Sequence, residues 1–429
     1  MHPYTAAAIG RERSAMRAFD RSATLVGFVN RETAVDRRPD ASRRGSGVAG
    51  CLTTFVLGSI AQGAPFVLVA AELERRGVGT SWLAAVAAAR LAPYLLCSPV
   101  AGALAGRYDT RTVFAVTGLA RGALIAALWI ALRTGSPALV LVSLLFVLVA
   151  VGTPTFPALM RAVRHRAPHA RLDRTSALAA GLESAAFVAG PALGGLLLLV
   201  DPTDSVLVCA GMMLTSAAIA SLLKGAEVAN RPIAGRSRRI LRDAGRCLLG
   251  PGIRPAIVAV VGVDVLSGLM ATLLVRIPSG LDSGGERAFG LLSFASGVGA
   301  FAAFIVLLRP IPRARPLLPL IAAGAAVGTL AAPGTLPVAL VACCGLGASV
   351  LAADVLVISA VSRLLPGALV APGFGVLDAM MTAAMVTGAL VAPVLTSCFG
   401  LRPTLAIAAV GIPLLATCAR QIDPERRGR

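Results

Sequence analysis

Glu183, Asp264, Asp354, Arg90 and Arg121 each lie deep inside long apolar runs of the 429-residue chain, where lipid-facing sequence should carry no charge. A charge near the middle of a bilayer costs roughly 2.5–3.5 kcal/mol on insertion scales, so a residue kept there pairs, binds a ligand or handles a proton. A carboxyl group whose surroundings alternate between dry and wet can take up a proton on one side of a membrane and release it on the other. Glu183, Asp264 and Asp354 are therefore candidates for proton coupling, and Gln62, Arg90 and Arg121 for the polar wall of a substrate cavity. A static buried pair of Glu183 with Arg90 or Arg121 is the alternative use of the same residues. Asp378 lies only one turn into its apolar run and reads as a cap or a pair near the surface.

Other chemistry is sparse. His165 and His169 sit in a basic loop with no Cys or carboxylate at metal spacing, and His2 stands alone, so no metal site is expected. No glycine-rich phosphate loop, nucleophile elbow or HExxH pair is present, so neither an enzyme nor a bound cofactor is expected.

The elements that position these charges follow from composition. Apolar residues make up 56% and charged residues 14% of the chain, and mean hydropathy is +0.81. That composition excludes a soluble globular domain. A bilayer core of roughly 30 Å needs about 20 apolar residues in a helix. Such runs fall at Gly47–Ala71, Ser81–Ala105, Val113–Leu132, Ala138–Met160, Ser176–Val200 and Ser205–Leu223. A second group of six falls at Pro255–Val275, Ala288–Leu308, Leu317–Ala332, Pro337–Val361, Phe374–Cys398 and Pro403–Ala419. The expected divisions are a basic tail at 1–46 (Met16 being an alternative beginning), a six-helix bundle at 47–223, a linker at 224–254, a second bundle at 255–420 and a short tail at 421–429. The linker's stretch from Arg236 to Arg246 can form an amphipathic helix on an anionic leaflet, or remain a solvated connection.

The net charge of +19 suggests nucleic acid until the positions are read. Of the 40 Lys and Arg residues, 32 fall on one side of the predicted topology and six on the other. This sorting is membrane topology, not nucleic-acid binding, and it puts both termini in the cytoplasm. Trp82 and Trp129 fall near outer boundaries and Tyr108 near an inner one. The eight cysteines lie mostly in apolar runs and read as free thiols. Overlaying the two groups of helices sets Gly63 against Gly268 and Gly190 against Gly388, a faint internal repeat.

Three segments carry a resemblance. Residues 102–113 run Gly-Ala-Leu-Ala-Gly-Arg-Tyr-Asp-Thr-Arg-Thr-Val, a tight basic turn between two helices. In order and spacing it resembles the signature loop of the major facilitator superfamily, with Gly102, Leu104, Arg107, Asp109 and Arg111 matching its efflux variant. Gly106 stands where the family carries an acid that helps hold the outward-open state through a helix of the other half. Residues 190–195, Gly-Pro-Ala-Leu-Gly-Gly, are similar to the antiporter motif of the same superfamily through Gly190, Pro191, Gly194 and Gly195. The Phe374–Asp378 segment is similar to the macrolide and siderophore exporter branch, without the usual preceding Arg. The helix-four arginine common in the family is missing.

The resemblance, over about residues 47 to 420, implies an all-α integral membrane fold of 12 transmembrane helices in two pseudo-symmetric six-helix bundles. It implies a monomeric carrier in the bacterial inner membrane, exporting a small amphiphile such as an antibiotic, secondary metabolite or siderophore by proton antiport and alternating access. Proton-coupled uptake, or a non-transporting regulatory protein of the same fold, are the alternatives. The expected partners are a small-molecule substrate, protons and lipid.

Overall fold

A computed structural model describes residues 41–77, 80–167, 172–198, 202–223, 237–250, 252–274, 286–307, 317–332 and 335–421. The chain falls into two compact units, Met1–Arg44 and Gly45–Arg429, and the packing below belongs to the second. Every regular element among the described residues is a helix. In a solvent without hydrogen-bonding capacity, a helix satisfies its own backbone and an open strand does not.

The first group comprises α1 (Ala41–Arg75), α2 (Thr80–Ala105), α3 (Thr110–Arg133), α4 (Ala138–Gly152), α5 (Thr155–Arg166), α6 (Leu172–Leu197) and α7 (Pro202–Leu222). A short helix, α8 (Ser237–Leu248), precedes the second group. That group is α9 (Arg254–Leu273), α10 (Glu286–Leu307), α11 (Leu318–Ala331), α12 (Leu336–Leu364), α13 (Val370–Phe399) and α14 (Leu401–Gln421). Among the described residues nine segments are long and apolar enough to cross a membrane, and three shorter apolar ones, Phe294–Leu307, Leu318–Ala331 and Leu401–Gly411, fall where the remaining spans are expected. Leu96, Leu139, Phe294, Val341 and Leu390 are all largely exposed, as side chains facing lipid should be.

Two boundaries differ from expectation for visible reasons. The first helix begins at Ala41 rather than 47, while residues 1–40 lie outside the described set. The fourth run is two helices, because Pro154 has no N–H to continue the ladder. Thr153 Oγ1 donates to the Ala150 carbonyl at 2.8 Å and Thr155 Oγ1 to that of Gly152 at 2.6 Å, satisfying oxygens near the break.

The helix pairings repeat between the groups. In the first, α3 packs on α7, α2 on α4 and α3 on α4; in the second, α11 packs on α14, α10 on α12 and α11 on α12. Pairings across the groups match as well, α2 with α13 and α6 with α10. The aligned glycines stand at two further close crossings, α1 with α6 and α9 with α13. A methyl at Gly190 would sit 2.8 Å from the Gly63 Cα, and one at Gly388 would sit 2.0 Å from the Val265 carbonyl oxygen. Gly268 is equally hemmed in, with the Met385 carbonyl oxygen 1.8 Å from where its Cβ would be. Where lipid is as apolar as the side chains, close backbone approach replaces the hydrophobic drive.

Candidate transport site

Asp264 lies ten residues into α9 and Asp354 ten residues from the end of α12, each about 15 Å along its helix. Glu183 is eleven residues into α6, about 17 Å. All are measured from the end carrying the α2–α3 turn and α8, hereafter the basic end. Asp378 joins this level. Its helix begins at Val370, four residues before the expected boundary, so Asp378 is about 12 Å deep rather than near the surface.

These four carboxyl groups, on four different helices, form one electrostatic cluster. Glu183 interacts with Asp378 and Asp354, and Asp264 with Asp354 and Asp378. The Ser98 hydroxyl of α2 donates to Asp378, joining the two groups of helices. Asp264 is only 7% exposed, and its Oδ2, like Oδ1 of Asp354, is buried without a hydrogen-bond partner. Among the described residues no ion pair engages any of the four.

The deep arginines are spoken for elsewhere, so the static pair with Glu183 does not form. Arg90 lies 3.8 Å over the Phe187 ring and donates to the Phe187 carbonyl at 3.0 Å. Arg121, 4% exposed, donates to Gln62 Oε1 at 2.8 Å and to the Thr117 carbonyl at 3.4 Å. The Gln62 amide in turn donates to the Tyr94 hydroxyl at 3.4 Å, and Tyr94 interacts electrostatically with Asp378, Glu183 and Arg121. A Cβ at Gly152 would lie 2.4 Å from Gln62 Oε1 and 3.2 Å from Arg121 Nη1. The uncharged α4 thus leaves a gap beside which the third helix delivers its guanidinium. The three cavity candidates divide accordingly: Gln62 and Arg121 form one hydrogen-bonded chain with Tyr94, and Arg90 is held against α6.

Nearer the basic end the two groups touch directly. A methyl at Gly102 would stand 2.6 Å from the Ala371 carbonyl oxygen, and one at Gly375 2.3 Å from that of Ser98. Phe156 of α5 meets Phe374 edge-on, with ring centroids 5.8 Å apart. A Cβ at Gly106 would come within 3.4 Å of Pro372 Cδ. Position 106 therefore does face α13, but it carries no acid, and Pro372 opposite offers no N–H. Close packing stands where a polar contact was expected. In the same turn the Gly106 carbonyl accepts from Arg161 Nη1 at 3.0 Å, while Arg107, Arg111 and Leu104 are exposed and Asp109 is the N-cap of α3 with no side-chain cap bond. Of the 190–195 segment, Gly190 and Gly194 pack on α1, Pro191 Cδ lies 3.2 Å from where a Cβ of Gly63 would be, and a Cβ at Gly195 would meet nothing within 4 Å.

Matching groups of apolar helices, with an acidic cluster at the depth where they meet, define the architecture of a polytopic membrane transporter. Residues 47–353 match the family model of the Major Facilitator Superfamily, and the chain belongs to that superfamily. No curated protein matches it. Among solved structures, the E. coli fucose:proton symporter FucP is similar at 16% identity, covering 87% of this chain and 98% of its own, with a TM-score of 0.67. The human organic anion transporter MFSD10 is 15% identical over 88% of this chain and 99% of its own, with a TM-score of 0.66. A bacterial homologue of the iron transporter ferroportin, in an outward-facing state with soaked iron, is 15% identical over 89% and 99%, with a TM-score of 0.60. At these identities the likeness concerns the fold.

Proposed function

We propose that this protein exports a small amphiphilic compound across the bacterial inner membrane by proton antiport, alternating access between the two sides. The observation that carries the reading is the carboxylate cluster on α6, α9, α12 and α13, which has no counter-ion among the described residues and lies at mid-depth. Such groups can bind protons on one side and give them up on the other. The tight contact of α2 with α13 closes the basic end, taken as cytoplasmic from its arginines, so the cluster would face outward in this state. The ferroportin homologue of the same fold is outward-facing too. Export rather than import rests on the resemblance of residues 190–195 to the antiporter motif. Proton-coupled uptake is the second reading, favoured by the fucose:proton symporter among the fold neighbours.

Accumulation of labelled amphiphiles in an efflux-deficient host, with and without the protein and then with a protonophore, separates these readings. Export predicts lower accumulation that the protonophore restores; raised accumulation would establish uptake. Glu183→Gln and Asp264→Asn should each abolish the gradient while membrane levels of the protein stay unchanged. Undiminished gradients in both variants would remove these carboxylates from the coupling.

A further inference from the structure

We infer that Arg90 and Phe187 form a binding site for an organic monocarboxylate with a flat apolar ring, the acid on the guanidinium and the ring against Phe187. The inference names the chemistry of the transported compound and rests on the transport reading for its physiological meaning.

Arg90 stands fifteen residues from the basic end of α2 and Phe187 fifteen residues into α6, so both lie about 22 Å from that end. That level is beyond the carboxyl groups, on the side away from the closed α2–α13 contact. Arg90, Tyr94 and Ser98 follow one another at four-residue steps and share one stripe of α2. Ser98 donates to Asp378 of the second group of helices, so this stripe faces the space between the groups. Phe187 follows Glu183 at the same step on α6, and Glu183 interacts with Asp354 and Asp378 across that space. Leu96, on the other side of α2, is turned to lipid instead.

The guanidinium is held in place but not satisfied. It lies 3.8 Å over the Phe187 ring, which covers one flat face, and gives a single N–H to the Phe187 carbonyl at 3.0 Å. An arginine side chain carries five N–H donors. Among the described residues no further hydrogen bond and no carboxylate engages Arg90. Arg121 differs, being 4% exposed and closed in by Gln62 and the Thr117 carbonyl. A half-buried cation kept at this depth without a counter-ion is completed by an anion that arrives with the ligand. The planar fork of N–H groups left open matches a carboxylate, and one guanidinium balances one negative charge rather than the two of a phosphate. Phe187 is 50% exposed, which leaves part of its ring for an apolar partner beside the acid. A carboxylate leaving the cell is driven outward by the inside-negative membrane potential as well as by protons moving inward.

Naphthoate and naphthamide share one shape and differ in charge, and they provide the test. The full chain, purified in detergent, is titrated with each at about pH 7, where the acid is ionised. Saturable naphthoate binding is expected, with the amide weaker by about tenfold or more. Arg90→Gln should lower naphthoate affinity by about tenfold or more, and Phe187→Leu by several-fold. Asp204→Asn, at the opposite end of the bundle, should leave it unchanged, and thermal melts establish that each variant is folded. Should Arg90→Gln fail to fold, the amide comparison and Phe187→Leu still decide. Amide binding equal to that of the acid, no saturable naphthoate binding, or full affinity in both site variants would overturn the inference. No gradient is present in this measurement. Naphthoate that binds but is not exported from cells would therefore defeat the export reading alone, whereas proton-driven export of another amphiphile without naphthoate binding would defeat only this one.

Discussion

Arg121 is a full positive charge inside a lipid-embedded bundle, and its neighbours make that tolerable. Gln62 Oε1 accepts from Nη1 at 2.8 Å, and the missing side chain at Gly152 leaves room for both. Replacing Gln62 by Leu strands a buried charged donor, which costs about 1–3 kcal/mol. The variant should therefore melt on the order of a few degrees lower in a thermal-unfolding assay. Adding Arg121→Met removes the stranded charge and should recover much of that loss. A double variant less stable than Gln62→Leu would mean the pair is not the unit described. Sequence made the depth of such residues legible, since position in an apolar run converts directly to distance along a helix. It could not give azimuth, and so left open whether Glu183 meets an arginine or other acids. Asp378 was misplaced for a narrower reason. Residues Val370 to Gly373, following Pro366, do not announce a helix start, yet the 3-10 turn at Gly367–Leu369 runs straight into α13 and adds a turn of depth.

Among elements, the α2–α13 contact should control the state of the protein. Gly102→Ala would press a methyl against the Ala371 carbonyl oxygen, and overpacking of this kind costs about 1–3 kcal/mol. Because the clash exists only while the basic end is closed, the expected result is a shift toward the form open at that end. Cysteines placed along the basic-end part of α2 should then react roughly 5- to 150-fold faster with a membrane-impermeant thiol reagent in inverted vesicles. Unchanged reactivity would mean the helices slide apart without opening. The α8 helix offers a second reading of the same motion. It packs on both α13 and α2, with Ala244 and Leu248 fully buried and Arg239, Arg242 and Arg246 exposed. Burial, and then the nearby Asp243, push the Cys247 thiol above its ordinary range, so little reactive thiolate is present at neutral pH. With the other cysteines replaced, Cys247 should label slowly in the closed form and several-fold faster with Gly102→Ala, if opening lifts α8 from α13. An equal rate in both would show that α8 stays docked throughout. The amphipathic period of this segment was visible in its residues; its attachment across both groups of helices was not, because the partner surface comes from distant sequence.

At the scale of the whole molecule, the two groups of helices are built alike from sequences that hardly match. Gly63 meets Gly190 in the first, and Gly268 packs on Met385 while Gly388 packs on Val265 in the second. Two faint identities in an overlay of the halves turn out to be the places where α1 meets α6 and where α9 meets α13. A lipid-facing leucine can become valine or phenylalanine at little cost, and a charged turn can be rewritten, but a Cβ has nowhere to go at these positions. The paired glycines therefore act as a shared hinge-point of construction, tolerant of almost any change around them and of none at the crossing itself. They set the same kind of close crossing at matching points of the two groups, at positions where only a hydrogen atom fits.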